Sequence, residues 1–178
     1  MSATDNRGML FQAGFTLIEV MIALVILAVL TALALPAFSQ FMLSNRLTAS
    51  ANMLVADFSL ARIEAARRGM SVRVCRAASS TSCESSGTDW SSGYILWSDT
   101  NGDDSLQASE IIKYAEPLPS GVTLTASTGA VVTFLPYGVI SGGSAWTFSM
   151  CIAGAASGRE LGLPATGRPS VKKTGACT

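Results

Sequence analysis

Residues 15–38 read FTLIEVMIALVILAVLTALALPAF, an apolar run broken by a single charge, Glu19. A helix apolar on every side has no face for water, and at about 1.5 Å per residue this one is long enough to cross a hydrocarbon core of roughly 30 Å. The run therefore predicts a transmembrane helix and ties whatever follows it to a membrane. A secretory signal peptide has a shorter apolar core and a small-residue cleavage site behind it, whereas this run passes unbroken into an amphipathic segment. Pro36 removes one backbone donor and predicts a bend near the end of the span. An acid at the bilayer centre costs about 2.5–3.5 kcal/mol on insertion scales, so Glu19 calls either for headgroup contact at the membrane edge or for a specific partner in an assembly.

Beyond Ser44 the pattern changes. Leu47, Ala51, Leu54, Val55, Phe58 and Ala65 recur at helical spacing on one face, with Asp57, Glu64 and Arg68 off it. Glu64 and Arg68 stand in the favourable i,i+4 order, and Gly69 follows as a C-cap. One helix is thus expected from about residue 16 to residue 68. After Gly69 the chain is rich in Ser, Thr and Gly, with short apolar runs at 71–77, 94–98, 111–115, 122–126, 131–135, 145–152 and 159–163 that read as strands. The expected fold class is α+β: a long N-terminal transmembrane and amphipathic α-helix, then a globular domain built on an antiparallel β-sheet packed against the helix's second half. The divisions expected are 1–14 as a leader, 15–43 as the transmembrane half-helix, 44–69 as the amphipathic half-helix and 70–178 as the β-rich domain.

Composition narrows the chemistry. Only 13% of the 178 residues are charged, the mean hydropathy is +0.41 and histidine is absent. That argues against a disordered or nucleic-acid-coating chain and removes the Ser-His-Asp triad, the Cys-His pair, the His zinc site and the imidazole pH switch. No Gly-x-Ser-x-Gly occurs, so of the hydrolase arrangements only a Ser–Lys pair is left in principle, and neither an enzyme nor a cofactor is expected. The zero net charge conceals segregation. Residues 46–76 sum to +4, residues 84–116 to −6 and the tail from Arg159 to +3. The basic set Arg62, Arg67, Arg68, Arg73 and Arg76 around the helix end is expected to face solvent and be partly paired; the alternative is that, with the acidic stretch beyond it, it offers complementary surfaces to neighbouring subunits.

Gly14-Phe15-Thr16-Leu17-Ile18-Glu19 followed by an apolar helix resembles the prepilin signature of type IV pilins and secretion pseudopilins. The resemblance implies a 14-residue leader, with Arg7 on the cytoplasmic side, cut between Gly14 and Phe15 by a membrane-embedded prepilin peptidase. The new amine of Phe15 is then methylated. It also implies that Glu19, fifth in the mature chain, is neutralised by the α-amine of Phe15 on a neighbouring subunit, a buried pair that sets registry. Further on, Asp57-Phe58-Ser59-Leu60-Ala61-Arg62-Ile63-Glu64-Ala65 resembles the helix end of the subgroup holding the minor pilins FimT and FimU and the type II secretion pseudopilin GspH. The stretches from Gly93 to Asp103 and from Phe134 to Gly138 are similar to later landmarks of that subgroup. A member is a minor subunit that primes a filament or sits at its tip, anchored once in the bacterial inner membrane with its C-terminal domain in the periplasm. Its expected partners are the peptidase, the inner membrane and other minor and major pilins or pseudopilins. The system is a type IV pilus or, alternatively, a type II secretion pseudopilus.

Three smaller features remain. With the domain in an oxidising periplasm, Cys75, Cys83, Cys151 and Cys177 are expected as disulfides; three pairings are possible, and proximity in sequence favours Cys75–Cys83 and Cys151–Cys177. Asp99, Asn101 and Asp103, with Glu110 at the twelfth position, have the spacing of a calcium loop, although Asp104 replaces its glycine and the flanks read as strands; the alternative is a polar β-hairpin loop. The tail carries Arg168, Lys172 and Lys173. FimT-like proteins linked to DNA uptake have a Gly-Arg-x-Arg element in a similar place; Gly167-Arg168 matches it, while Ser170 stands at the second basic position. These three cations are the candidate DNA contacts of a competence pilin acting in DNA uptake, the two lysines as point charges; the competing reading, which is favoured, is a solvated terminal strand.

Overall fold

The computed structural model describes residues 14–177. The leader expected over 1–14 lies outside the described residues except for Gly14. Helix α1 runs Leu17–Arg68, and Gly69 follows it at φ +63°, the left-handed conformation of a C-cap. Nine strands follow: β1 (Val72–Ser79), β2 (Ser82–Cys83), β3 (Tyr94–Trp97), β4 (Ile111–Ala115), β5 (Val122–Ala126), β6 (Val131–Phe134), β7 (Trp146–Ile152), β8 (Arg159–Leu163) and β9 (Ser170–Lys173). The pairings are all antiparallel. Two of these strands carry no continuous apolar run: β2 was not marked by the sequence pattern, and β9 is the solvated terminal strand expected of the tail.

The chain divides into two compact units, Met1–Ser39 and Gln40–Thr178. In the described part of the first, every side chain is exposed. The helix is apolar and long enough to cross a membrane. Thr31 Oγ1 donates back to the carbonyls of Leu27 and Ala28, and Ser39 Oγ to that of Pro36, so these two hydroxyls are satisfied within the helix.

In the second unit α1 buries Leu47, Ser50, Ala51, Leu54, Asp57, Phe58, Ala61 and Ala65. The stripe has the predicted period, with one correction: Asp57 belongs to the buried face. Its carboxylate accepts from Tyr94 Oη at 2.8 Å and from Lys113 Nζ, so the helix is fastened to β3 and β4 by a buried acid with two donors. Burial, then the charge of Asp57, push the Tyr94 phenol well above its ordinary pKa.

Instead of one sheet there are two. The first holds β2, β1, β3 and β4 in that order, with β6 also paired to β1; the second runs β5-β7-β8-β9. Burial alternates along β5, β7 and β8, so one face of that sheet is apolar. Two apolar sheet faces and the helix stripe need cover, and they supply it to one another in a shared core. Phe58 of the helix is its hub: its ring lies 6.2 Å from Phe134 of β6 and 5.0 Å from Phe148 of β7, and Trp90 meets Phe148 edge-on at 5.2 Å.

Candidate functional site

Gly14, Phe15 and Glu19 stand at the start of α1, where Phe15 is 82% exposed and the Glu19 backbone N–H is capped by Thr16 Oγ1 at 3.3 Å. Among the described residues no cation lies within ion-pair reach of the Glu19 carboxylate. Around it Ile18, Met21, Ile22, Val25 and Ile26 line an exposed, wholly apolar hollow of about 290 Å³. An acid and an apolar face without internal partners are what an intermolecular helix contact requires.

The disulfides Cys75–Cys83 and Cys151–Cys177 are formed, with Cα atoms 5.7 and 5.5 Å apart. The first ties β2 to β1. The second ties the segment after β9 to β7, where Cys177 N also donates to Ala155 O and Thr174 N to Gly158 O. Nearby, Arg159 is buried and reaches the helix by hydrogen bonds to Ser44 Oγ and Thr48 Oγ1, both 3.0 Å, so β8 is clamped to α1 without a carboxylate.

The acidic stretch 98–110 is the connection of the β3–β4 hairpin. Its oxygens serve N–H groups: Asp99 accepts from Gly102 N and Asp104 N, Asp103 from Ser105 N and Gln107 Nε2, and buried Glu110 from Thr100 N, Thr100 Oγ1 and Gln107 N. Burial pushes the Asp99 carboxyl up, but its backbone donors and the Arg73 charge hold it below the usual range. Asn101 bonds only within the loop. These carboxylates close a hairpin, as in the polar-loop reading, and among the described residues no group of three acidic, histidine or cysteine side chains is placed to hold a metal. Asp104 takes φ +62°, the left-handed conformation in which a calcium loop has its glycine, and pairs with Arg73, whose guanidinium stacks 4.9 Å from the Trp97 ring centroid.

The basic helix-end set does not form one patch. Arg67 and Arg68 both grip Glu64, at 2.7 Å each, and their hydrogen bonds lower its pKa to about 2. Arg73 is held by Asp104, and Arg76 donates to the carbonyls of Ser86 and Asp89. The basic tail is divided too. Lys172 pairs with Glu160 at 2.8 Å, and Lys173, one residue on along β9, lies on the opposite face of the sheet. Arg168 is separate from both.

Arg168 belongs to a different constellation, assembled by two turns. Leu135 to Gly138 turns at the end of β6 (Gly138 N to Leu135 O, 2.7 Å), and Pro164 to Gly167 turns at the end of β8 (Gly167 N to Pro164 O, 2.8 Å). Ile140 N donates to Ala165 O and joins them. Both glycines have positive φ, +73° at Gly138 and +71° at Gly167, and a Cβ on Gly167 would overlap the Gly138 carbonyl. Arg62 lies across Gly138 and donates Nε to its carbonyl at 3.0 Å. Two adjoining hollows result. Ser59, Arg62, Ile63, Arg168 and Pro169 line one of about 270 Å³; Arg62, Ile63, Ala66, Arg67, Tyr137 and Gly138 line another of about 440 Å³. Sequence reasoning found Arg168 and the Gly138 landmark but missed their meeting with Arg62 and Tyr137. The available signal was the pair of turn glycines.

The comparisons with known proteins agree with this architecture. The family model of the type II transport protein GspH matches residues 50–167, and a prokaryotic N-terminal methylation motif matches residues 9–35. No curated protein matches the chain. Among solved structures, the type IV minor pilin FimU of Pseudomonas aeruginosa, strain PAO1, is similar at 21% identity with a TM-score of 0.60, over 78% of this chain and 99% of that one. FimU in a second crystal form gives 20% and 0.57, over 74% and 100%. The minor pseudopilin EpsH from the Type 2 Secretion System of Vibrio cholerae gives 14% and 0.51, over 73% and 97%.

Proposed function

The chain belongs to the GspH family, and from that premise we propose that it is a minor, priming subunit of a type IV pilus. Members of this family are pilin-type structural subunits, not enzymes, and the N-terminal methylation motif implies processing by prepilin peptidase and assembly with other pilins or pseudopilins. In this reading residues 1–14 are the leader, 15–43 lie in the inner membrane and then in the filament core, 44–69 carry the domain, and 70–178 face the periplasm. The observation that supports it is the wholly exposed apolar start of α1 around Glu19. In a filament that acid meets the methylated amine of Phe15 on a neighbour, and apolar helix faces replace lipid as its surroundings.

Two measurements test this. N-terminal sequencing of the chain from cells with prepilin peptidase is expected to start at Phe15. Glu19→Ala is expected to leave cleavage intact yet remove the chain from sheared filaments; equal incorporation of the variant would sink the role. The family model's description, a type II transport protein, favours a second reading as a secretion pseudopilin. A deletion strain that keeps twitching but loses exoprotein secretion selects it.

A further inference from the structure

The paired hollows along Arg62 and Ile63 combine features that a solvated surface does not need. Tyr137 is 87% exposed and Ile63 58% exposed, side by side with the guanidinium groups of Arg62, Arg67 and Arg168. Glu64 answers Arg67 and Arg68 together, and among the described residues no carboxylate lies within ion-pair reach of Arg62 or Arg168. With one carboxylate against four arginines, the face carries a net charge of about +3 around an apolar floor, two of those charges, Arg62 and Arg168, with no carboxylate partner among the described residues. Tyrosine and arginine around an apolar floor are the residues enriched where proteins meet, and planar guanidinium groups take carboxylates bidentately. Two backbone turns hold the face rigidly, so little ordering is left to be done on binding.

We propose that this cleft docks an acidic segment of a neighbouring, different subunit of the filament: a stretch with two carboxylates, for Arg62 and Arg168, and an apolar side chain for the hollow between Ile63 and Tyr137. The proposal rests on the filament reading and adds to it a contact outside the helix core. Nucleic acid is the other polyanion that arginines attract, but a duplex presents one charge per about 1.7 Å and asks for a row of cations. Here the row ends at Arg168, because Lys172 is held by Glu160 and Lys173 lies on the other face of the sheet. Ile63, Ala66 and Pro169 occupy the floor where phosphates would have to lie.

The test is site-specific photo-crosslinking of the full chain in cells, with a photoreactive amino acid at Tyr137 and, separately, at Val25 of the apolar helix, the adducts mapped by mass spectrometry. The expected result is a Tyr137 adduct on an acidic segment of another subunit that prepilin peptidase has processed. Arg62→Glu with Arg168→Glu should lower its yield about ten-fold, while the Val25 adduct persists. Arg62→Lys with Arg168→Lys should retain part of it. A Val25 adduct without a Tyr137 adduct overturns the docking proposal and leaves the filament reading standing; absence of both overturns the two together. A nuclease-sensitive Tyr137 adduct, or one joining two copies of this chain, also overturns it.

Discussion

Two aromatic residues and two acids on the same helix have opposite fates. Phe38 is 64% exposed, whereas Phe58 is fully buried between Phe134 and Phe148. Glu19 meets no cation among the described residues, whereas Asp57 holds Tyr94 and Lys113. The difference teaches where each stretch of helix finds its stabilisation. From Gln40 onward the helix buries its apolar stripe within the chain, and the described residues before it leave their apolar side chains exposed. A helix of one secondary structure is thus divided, its second part folding against the domain and its first, in the proposed reading, left for assembly.

The sharpest way to break this comparison is to truncate both rings. Phe58→Ala is expected to cost about 3–5 kcal/mol in denaturant unfolding of the detergent-solubilised chain, because it opens a cavity at the aromatic hub. Phe38→Ala should leave the same curve unmoved. Removing the disulfides comes next. Replacing Cys151 and Cys177 by serine is expected to cost about 3.5 kcal/mol, and replacing Cys75 and Cys83 about 2.5 kcal/mol, the longer loop losing more on the chain-entropy scale. Thermal unfolding of the two variants ranks them, and equal losses would put the effect in the folded state.

A smaller effect separates the acids. Asp57→Ala leaves the Tyr94 hydroxyl without its acceptor and should destabilise by about 2 kcal/mol. Glu19→Ala should alter filament incorporation with no change in the unfolding midpoint. The smallest effect is a pH dependence. The folded pKa of Tyr94 lies above its unfolded value near 10. Its contribution is thus complete below pH 10 and is lost as pH rises beyond it, since only the unfolded chain ionises there. Phenolate absorbance should show Tyr94 titrating together with unfolding, and Tyr94→Phe should flatten that alkaline slope.

Much of the fold was legible because it follows from periods. The helix was expected over 16–68 and spans Leu17–Arg68; the strands at 111–115, 122–126 and 159–163 have the expected ends. Asp57 was misplaced because the rule that charges face water fails where a tyrosine and a lysine arrive from 37 and 56 residues away. The division into two sheets was hidden for a related reason. β5 and β6 are neighbours in sequence, yet β5 pairs with β7 and β6 with β1. β9 is exposed along its whole length and so has no burial pattern to show. Of the candidate sites, the helix start is proposed from an anomalous acid and the prepilin resemblance around it. In the basic tail, three cations near in sequence do not share a surface, because the alternation of β9 and the carboxylate of Glu160 part them.

The crossing of Gly138 and Gly167 carries a consequence for how such a chain can change over generations. Gly167 has no room for a side chain against the Gly138 carbonyl, a Cβ on Gly138 would press on the Arg62 side chain, and both positions hold a backbone handedness that other residues resist. Loss of either glycine would shift the two turns together, and with them Tyr137 and Arg168. Changes at residues 62, 63, 137 or 168 would alter what the turns display while leaving the frame beneath them intact.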